Sequence, residues 1–164
     1  MKKILLALAI ASATAATAQS QSSSWDVSIG GGVTIPTSKA AEYCETGANV
    51  IANATYSITP MLALGGEINY AYLHDKTTTG ANIGHTNFVA FLVKGMCTFT
   101  QKGIRPYVAL NAGWYKAHDD PGELGYAPEV GLRYRSISLG TSYHVATSQG
   151  FEYLEISARY TFSL

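Results

Sequence analysis

Acidic and basic side chains occur singly inside segments of the sequence that are otherwise rich in valine, isoleucine, leucine and tyrosine. The set carries both signs of charge and comprises Asp26, Glu67, Lys94, Glu129, Arg133, Glu155 and Arg159. Ionisable groups in an apolar interior need partners of opposite charge or hydrogen bonds. Two kinds of chemistry fit such a set: a polar channel that passes ions or small solutes, or a cluster of paired charges that fills an interior.

Histidines and carboxylates also occur together outside these segments, and such groups can bind a divalent cation. They are His74-Asp75, His85 and His118-Asp119-Asp120. Their spacing matches no defined metal motif, and solvated loop residues are the simpler interpretation. Gly30-Gly31-Gly32 is not interpreted as a phosphate-binding loop, because no helix pattern follows it. The sequence therefore gives no evidence for a metal site or a cofactor.

The segments around the ionisable residues alternate apolar and polar side chains with a period of two, which predicts β-strands. Eight strands are predicted, over residues 25–35, 48–58, 62–72, 87–99, 105–115, 126–134, 137–145 and 153–164. The fourth is ambiguous because both of its faces carry apolar residues. Pro128 falls inside the sixth and would remove a ladder hydrogen bond, so we expect the strand to begin after it or to contain a bulge there.

One face of each predicted strand is free of charged residues, as expected for contact with lipid, where a charge at the midplane costs about 2–4 kcal/mol. Aromatic residues on these faces cluster near the strand ends, in two girdles, and most short and long connections alternate. The sequence therefore predicts an all-β fold, a closed eight-stranded antiparallel up-and-down transmembrane β-barrel. Eight strands leave an interior barely wide enough for side chains, which favours paired charges over a channel.

The N-terminus has the layout of a secretory signal peptide. Lys2 and Lys3 precede a short apolar run, and Ala16-Thr17-Ala18 forms a small-residue cleavage site. We predict that residues 1–18 are a cleavable signal peptide, cut between Ala18 and Gln19, and that residues 19–164 form the barrel domain. The formal net charge is zero, which excludes the basic footprint of a nucleic-acid-binding protein.

Two cysteines offer one possible disulfide in an oxidising compartment. Cys44 is predicted in a loop at one rim of the barrel, and Cys97 near the other end of a strand. A disulfide needs Cα atoms within about 7 Å. We therefore expect no disulfide between them.

The leader, the eight amphipathic strands and the closing run Ile156-Ser-Ala-Arg-Tyr-Thr-Phe-Ser-Leu164 together resemble the small outer-membrane barrels of the OmpA/OmpX type. The resemblance covers the whole mature chain. It implies export to the cell outer membrane of a Gram-negative bacterium. It also implies that the closing run is a signal for the barrel assembly machinery, although Ser163 and Leu164 follow Phe162 where a terminal aromatic residue is usual.

Four functions remain open from the sequence. The leading hypothesis is a monomeric, non-enzymatic barrel with a structural or surface-interaction role, in contact with outer-membrane lipid and lipopolysaccharide. A soluble lipocalin-like barrel that binds a small apolar ligand and a narrow pore are alternatives. A lipid A-modifying enzyme is the fourth, because lipid A deacylase barrels carry a His-x-Ser pair. Here, however, Ala146 stands two residues after His144, with Thr147 and Ser148 following.

Overall fold

The computed structural model describes residues 24–75, 85–100, 102–117, 122–147 and 151–164. Long strands make up almost all of this part of the chain. The strands are β1 Trp25–Ser38, β2 Cys44–Ser57, β3 Leu62–Asp75, β4 His85–Thr98, β5 Ile104–Ala117, β6 Glu123–Tyr134, β7 Ile137–Ala146 and β8 Phe151–Ser163, with one short helix, α1 Ala40–Tyr43, between β1 and β2.

The strands form a closed barrel in which each strand pairs antiparallel with its neighbours in the sequence. β1 closes the barrel against β8, with Asp26 opposite Ser163 and Ser38 opposite Phe151. The prediction of a closed eight-stranded up-and-down barrel is confirmed. We call the rim that holds Trp25 and Leu164 the terminal rim and the opposite rim the loop rim. The short β2–β3, β4–β5 and β6–β7 connections lie at the terminal rim, the arrangement of periplasmic turns in outer-membrane barrels.

Side chains alternate between the outside and the interior of the barrel, as the period of two requires. The apolar set faces outward: Val108 is 41% exposed and Leu139 is 60% exposed. The ionisable set faces inward, where Glu67 is 3% exposed and Arg159 is 5% exposed. This is the reverse of a soluble barrel such as a lipocalin, and it is the arrangement expected when lipid surrounds the outer surface.

The strands extend beyond their predicted ends, mainly at the loop rim. β3 continues to Asp75 instead of ending at residue 72, and β6 begins at Glu123 instead of residue 126. Cys44 was predicted in a loop, but it begins β2 and is buried. The extra residues are too polar or irregular in pattern to give a lipid-facing signal, yet their pairing with the neighbouring strand continues. No disulfide joins Cys44 and Cys97.

The prediction that β6 begins after Pro128 or contains a bulge there is wrong. The strand runs through it, and the register against β7 is the same at Tyr126↔Val145 and at Glu129↔Ser142. Pro128 is exposed on the outer face and lies opposite Leu110 of β5. The pairing with β7 is interrupted at Ala127 and Pro128 and resumes without a shift of register, while the pairing with β5 continues through both residues. Among the residues described, no helix is long and apolar enough to cross a membrane.

Candidate functional site in the barrel interior

The middle of the barrel interior contains a buried ionic network built from β3, β4, β6 and β8. Lys94 Nζ donates to Glu67 Oε2 at 2.8 Å and to Glu129 Oε2 at 2.5 Å. Arg159 Nη1 donates to Glu129 Oε1 at 2.6 Å, and Arg159 Nη2 lies 3.8 Å from Glu155 Oε1. The side chains are at most 4% exposed. Two cations thus hold three carboxylates together across the lumen.

Neutral side chains complete the hydrogen bonding of these carboxylates. Tyr107 Oη donates to Glu129 at 2.8 Å, Asn111 donates to Glu129 at 3.1 Å, and Asn69 donates to Glu155 at 2.5 Å. Each of these donors is buried. Buried charges need this level of satisfaction, because an unpaired ion in an apolar interior is strongly destabilising.

Glycines on the inner faces of β6 and β7 make room for Tyr107. A Cβ atom at Gly131 would lie 2.4 Å from Tyr107 Cζ, and one at Gly140 would lie 2.6 Å from the Tyr107 hydroxyl. No side chain fits at either position without moving the ring. The two glycines therefore set the position from which Tyr107 reaches Glu129.

A second ion pair lies apart from this network, at the terminal rim. Arg133 Nη1 donates to Asp26 Oδ2 at 2.8 Å, and the two side chains are 13% and 14% exposed. Ser163 Oγ donates to the other carboxylate oxygen of Asp26 at 2.6 Å. The structure thus brings five of the predicted interior residues together and places Asp26 and Arg133 in a separate pair: the five are Glu67, Lys94, Glu129, Glu155 and Arg159.

Between the two ionic groups there is a cavity of about 10 Å³, whose lining includes Ser28, Asn53 and Thr55 as well as Lys94 and Arg159. A single water molecule needs about 10–15 Å³ of this kind of volume. The space is therefore close to the minimum for one water.

An apolar and aromatic layer fills the interior between the ionic network and the loop rim, and sequence analysis missed it. Phe88 and Phe151 stack with ring centroids 4.1 Å apart, and Tyr153 stacks on His144 at 4.4 Å. Leu73 and Tyr153 are 0% and 1% exposed. The available signal was the apolar character of both faces of the fourth predicted strand: its inner face joins this layer. We call this group the aromatic layer: Leu73, Phe88, Leu92, Tyr115, Phe151 and Tyr153.

His144 joins the aromatic layer to the ionic network. Its Nδ1 shares a hydrogen bond with Tyr115 Oη at 3.0 Å, and its Nε2 shares one with Ser142 Oγ at 3.0 Å. Glu155 Oε2 lies 3.6 Å from Nε2. A serine, a histidine and a carboxylate within reach are the parts of a nucleophilic site. His144 and Glu155 are 0% exposed, however, and Ser142 is 2% exposed, so a lipid in the membrane does not reach them.

Of the remaining candidate residues, His74 and His85 lie opposite each other where β3 ends and β4 begins, not in a solvated loop as expected. His74 is exposed near the end of β3 and packs edge-on against Tyr72. Residues 118–120 lie outside the described residues, as do Ala18 and Gln19. Within the described ranges, no group of three or more histidine, cysteine, aspartate or glutamate side chains is placed to hold a metal ion.

The family of the chain follows from comparison with known proteins. The family described as outer membrane protein beta-barrel domain matches residues 4–162, and the protein belongs to this family. It is therefore an outer-membrane β-barrel. No curated protein matches the sequence.

Solved structures show the same fold at low sequence identity. Neisserial surface protein A superposes with a TM-score of 0.65 and 14% identity, covering 86% of this chain and 98% of that one. OprG from Pseudomonas aeruginosa gives a TM-score of 0.57 with 12% identity, covering 84% and 95%. Ail from Yersinia pestis gives 0.52 with 15% identity, covering 86% and 100%. At these identities the likeness concerns the fold alone.

Proposed function

We propose that this protein is a non-enzymatic outer-membrane barrel with a structural or surface-interaction role, whose lumen is closed by its own side chains. The observation that carries the proposal is the double closure of the interior. Lys94 and Arg159 join carboxylates from β3, β6 and β8 across the middle. The aromatic layer then fills the space above them, with Leu73 and Tyr153 almost fully buried.

A conducting path would have to pass both closures. Breaking a buried ion pair is costly, because the partner is left as an unpaired charge. Opening the aromatic layer would expose large apolar side chains to water. Neither layer is a loop that could swing away, since both are built from side chains on paired strands. We therefore expect the barrel not to act as a pore.

Planar-bilayer recording of the folded full-length mature protein tests this role. We expect no resolved current steps over the background of the lipid alone. Heat-modifiable gel migration of the same sample controls for folding, and a wide porin reconstituted in parallel controls for the recording. Regular conductance steps that depend on the amount of folded barrel would contradict the closed lumen.

The absence of enzymatic activity is part of the proposal and has its own test. The burial of Ser142 and His144 supports it, because a hydrolase for membrane lipid needs its nucleophile at the lipid surface. Mass analysis of lipid A from cells with and without the protein is expected to give the same species. A lost acyl chain that returns when His144 is replaced by alanine would instead identify a lipid A-modifying enzyme.

We also propose that the protein is exported by the signal peptide at residues 1–18, assembled by the barrel assembly machinery, and monomeric in contact with lipopolysaccharide. The outward position of Tyr160 and Phe162 at the end of β8, 49% and 52% exposed, fits a signal that another protein reads from the lipid-facing side. N-terminal sequencing of the mature protein is expected to begin at Gln19. A chain that still carries Met1 in the outer-membrane fraction would contradict the predicted cleavage.

A further inference from the structure

The two rims of the barrel carry opposite charge among the described residues. At the terminal rim the basic residues are Lys102, Arg105, Arg133 and Arg135, and the acidic side chain is Asp26, which is already paired with Arg133. At the loop rim the acidic residues Glu42, Glu45, Glu123 and Glu152 outnumber Lys39 and Lys116. The terminal rim, where the short turns lie, faces the periplasm in barrels of this kind. An excess of positive charge therefore stands at the periplasmic leaflet of the membrane.

An apolar hollow lies on the lipid-facing surface beside these cations. It has a volume of about 530 Å³ and is lined by Ile104, Leu132, Tyr134, Ile137 and Leu139. Binding sites for small ligands commonly have volumes of about 300–1,000 Å³. The lining side chains are 51–61% exposed, and they come from β5, β6 and β7. Tyr134 in this lining is an exposed aromatic residue near the terminal rim, and such residues lie at the level of the lipid headgroups in outer-membrane barrels.

Arg135 places a positive charge at the edge of the hollow. Its guanidinium carbon lies 5.4 Å from the ring centroid of Tyr134, over a ring that lines the hollow. Arg105 Nη2 donates to the Arg135 carbonyl at 3.0 Å, which brings a second guanidinium to the same turn. Arg135 also has a positive φ of 52°, a conformation that glycine or asparagine adopts more readily. The backbone conformation of the turn therefore does not explain why an arginine stands at this position.

We propose that this hollow and its cations form a binding site for one anionic phospholipid of the periplasmic leaflet. An acyl chain lies against Leu132 and Leu139, and the phosphate is held by Arg135, with Lys102 contributing from the neighbouring β4–β5 turn that leads into Ile104 of the hollow. The occupant is a lipid because the hollow opens to the membrane. It is anionic because the described part of this rim offers no acidic side chain free to pair with Arg135. A basic residue at a membrane surface strengthens binding of anionic lipid by a factor of about five.

Native mass spectrometry of the folded barrel tests the site with two lipids that share their acyl chains and differ in headgroup charge. We expect the protein to retain phosphatidylglycerol in preference to phosphatidylcholine, in a complex of one lipid per barrel. The double variant Arg135→Asn with Lys102→Gln keeps a residue suited to positive φ in the turn. Its preference is expected to fall by roughly tenfold or more. The matched control removes the same number of charges at the other rim, by Lys39→Gln with Lys116→Gln, and is expected to keep the preference.

A second variant tests the apolar half of the site. Leu139→Trp projects a larger side chain into the hollow from a lipid-facing position that tolerates apolar size. We expect it to lower retention of phosphatidylglycerol while heat-modifiable migration stays normal. Equal retention of the two lipids by the unmodified barrel would overturn the proposal. The proposal would also be overturned if the loop-rim control lost as much of the preference for phosphatidylglycerol as the terminal-rim variant does. If free glycerol phosphate displaces bound phosphatidylglycerol as effectively as added lipid does, the site recognises an anion alone. That result would also overturn the proposal. These outcomes do not depend on whether the lumen conducts.

Discussion

The two layers that close the barrel interior use opposite chemistry on the same set of strands. In the ionic network, Lys94 bridges Glu67 and Glu129, and each charge depends on a particular partner. In the aromatic layer, Phe88 and Phe151 pack by shape and area with no polar requirement. His144 is where the two meet, since it stacks on Tyr153 and is hydrogen-bonded to Ser142. The interior of a narrow barrel can therefore be filled by paired charges or by apolar packing, and in this barrel the type of filling changes with depth.

The difference between the layers lies in how they respond to the loss of one member. An ionic network that loses a charge leaves its partner buried and unpaired, which costs more than the pair contributed. An apolar layer that loses a side chain leaves a cavity, which neighbours can partly fill. The largest effects are therefore expected in the middle of the barrel, smaller ones in the aromatic layer, and the smallest at the terminal rim, where water is within reach.

Replacing Lys94 by methionine is expected to have the largest effect of the changes considered. The substitution leaves Glu67 with Arg159 Nη1, 3.8 Å away, as its remaining cation. Removing one partner of a buried ion pair typically lowers the free energy of unfolding by about 3–5 kcal/mol. Urea titration of the barrel in lipid vesicles, followed by heat-modifiable migration, measures the change.

Two further variants separate the loss of a partner from the loss of a lysine. Lys116→Met removes an exposed lysine of β5 and is expected to change the free energy of unfolding by no more than about 0.5 kcal/mol. The double variant Lys94→Met with Glu67→Gln removes the unpaired charge as well, and we expect it to recover part of the stability. Equal losses of unfolding free energy for Lys94→Met and Lys116→Met would show that the ionic network does not stabilise the barrel.

Truncating Leu73 to alanine tests the aromatic layer. Leu73 is 0% exposed and packs with Cys44, Ala71 and Phe88. We expect the free energy of unfolding to fall by about 2–3 kcal/mol, near the lower end for leucine-to-alanine changes in cores, because Phe151 at the strand end can move toward the gap. Leu73→Met conserves the volume and is expected to cost less than about 1.5 kcal/mol. Equal costs for the two variants would mean that the layer is loosely packed.

The sequence allowed the closed barrel to be predicted because lipid imposes a strict rule on one face of every strand. Val108 and Leu139 follow that rule, and their outward positions are observed. The strand ends at the loop rim were missed, since beyond the membrane the rule no longer applies. Pro128 interrupts the pairing with β7, as a residue without a donor should, but it neither ends β6 nor shifts its register, because the pairing with β5 continues through it.

The partners within the interior could not be predicted in the same way. Charges inside apolar strands indicated which residues face inward, but not which of them meet. Lys94 lies opposite Gly65 and Asn111 in the strand register, yet it pairs with Glu67 and Glu129, which are not its ladder partners. Such contacts depend on the tilt and stagger of all eight strands. The aromatic layer left only a weak signal, because apolar residues on both faces of a strand do not show which face is inside.

Among the three sites compared, the smallest effect is expected at the terminal rim, for Arg133→Gln, where an ion pair like that of Lys94 lies in a different environment. The side chains of Arg133 and Asp26 are 13% and 14% exposed, against 2% for Lys94. Asp26 keeps its hydrogen bond from Ser163 and can be solvated when the arginine is lost. We expect the free energy of unfolding to fall by about 0.5–1 kcal/mol, and by less in high salt, because salt screens charges that water can reach. The cost of Lys94→Met should not change with salt. A salt-independent cost for Arg133→Gln as large as that of Lys94→Met would show that depth in the barrel does not decide what an ion pair contributes.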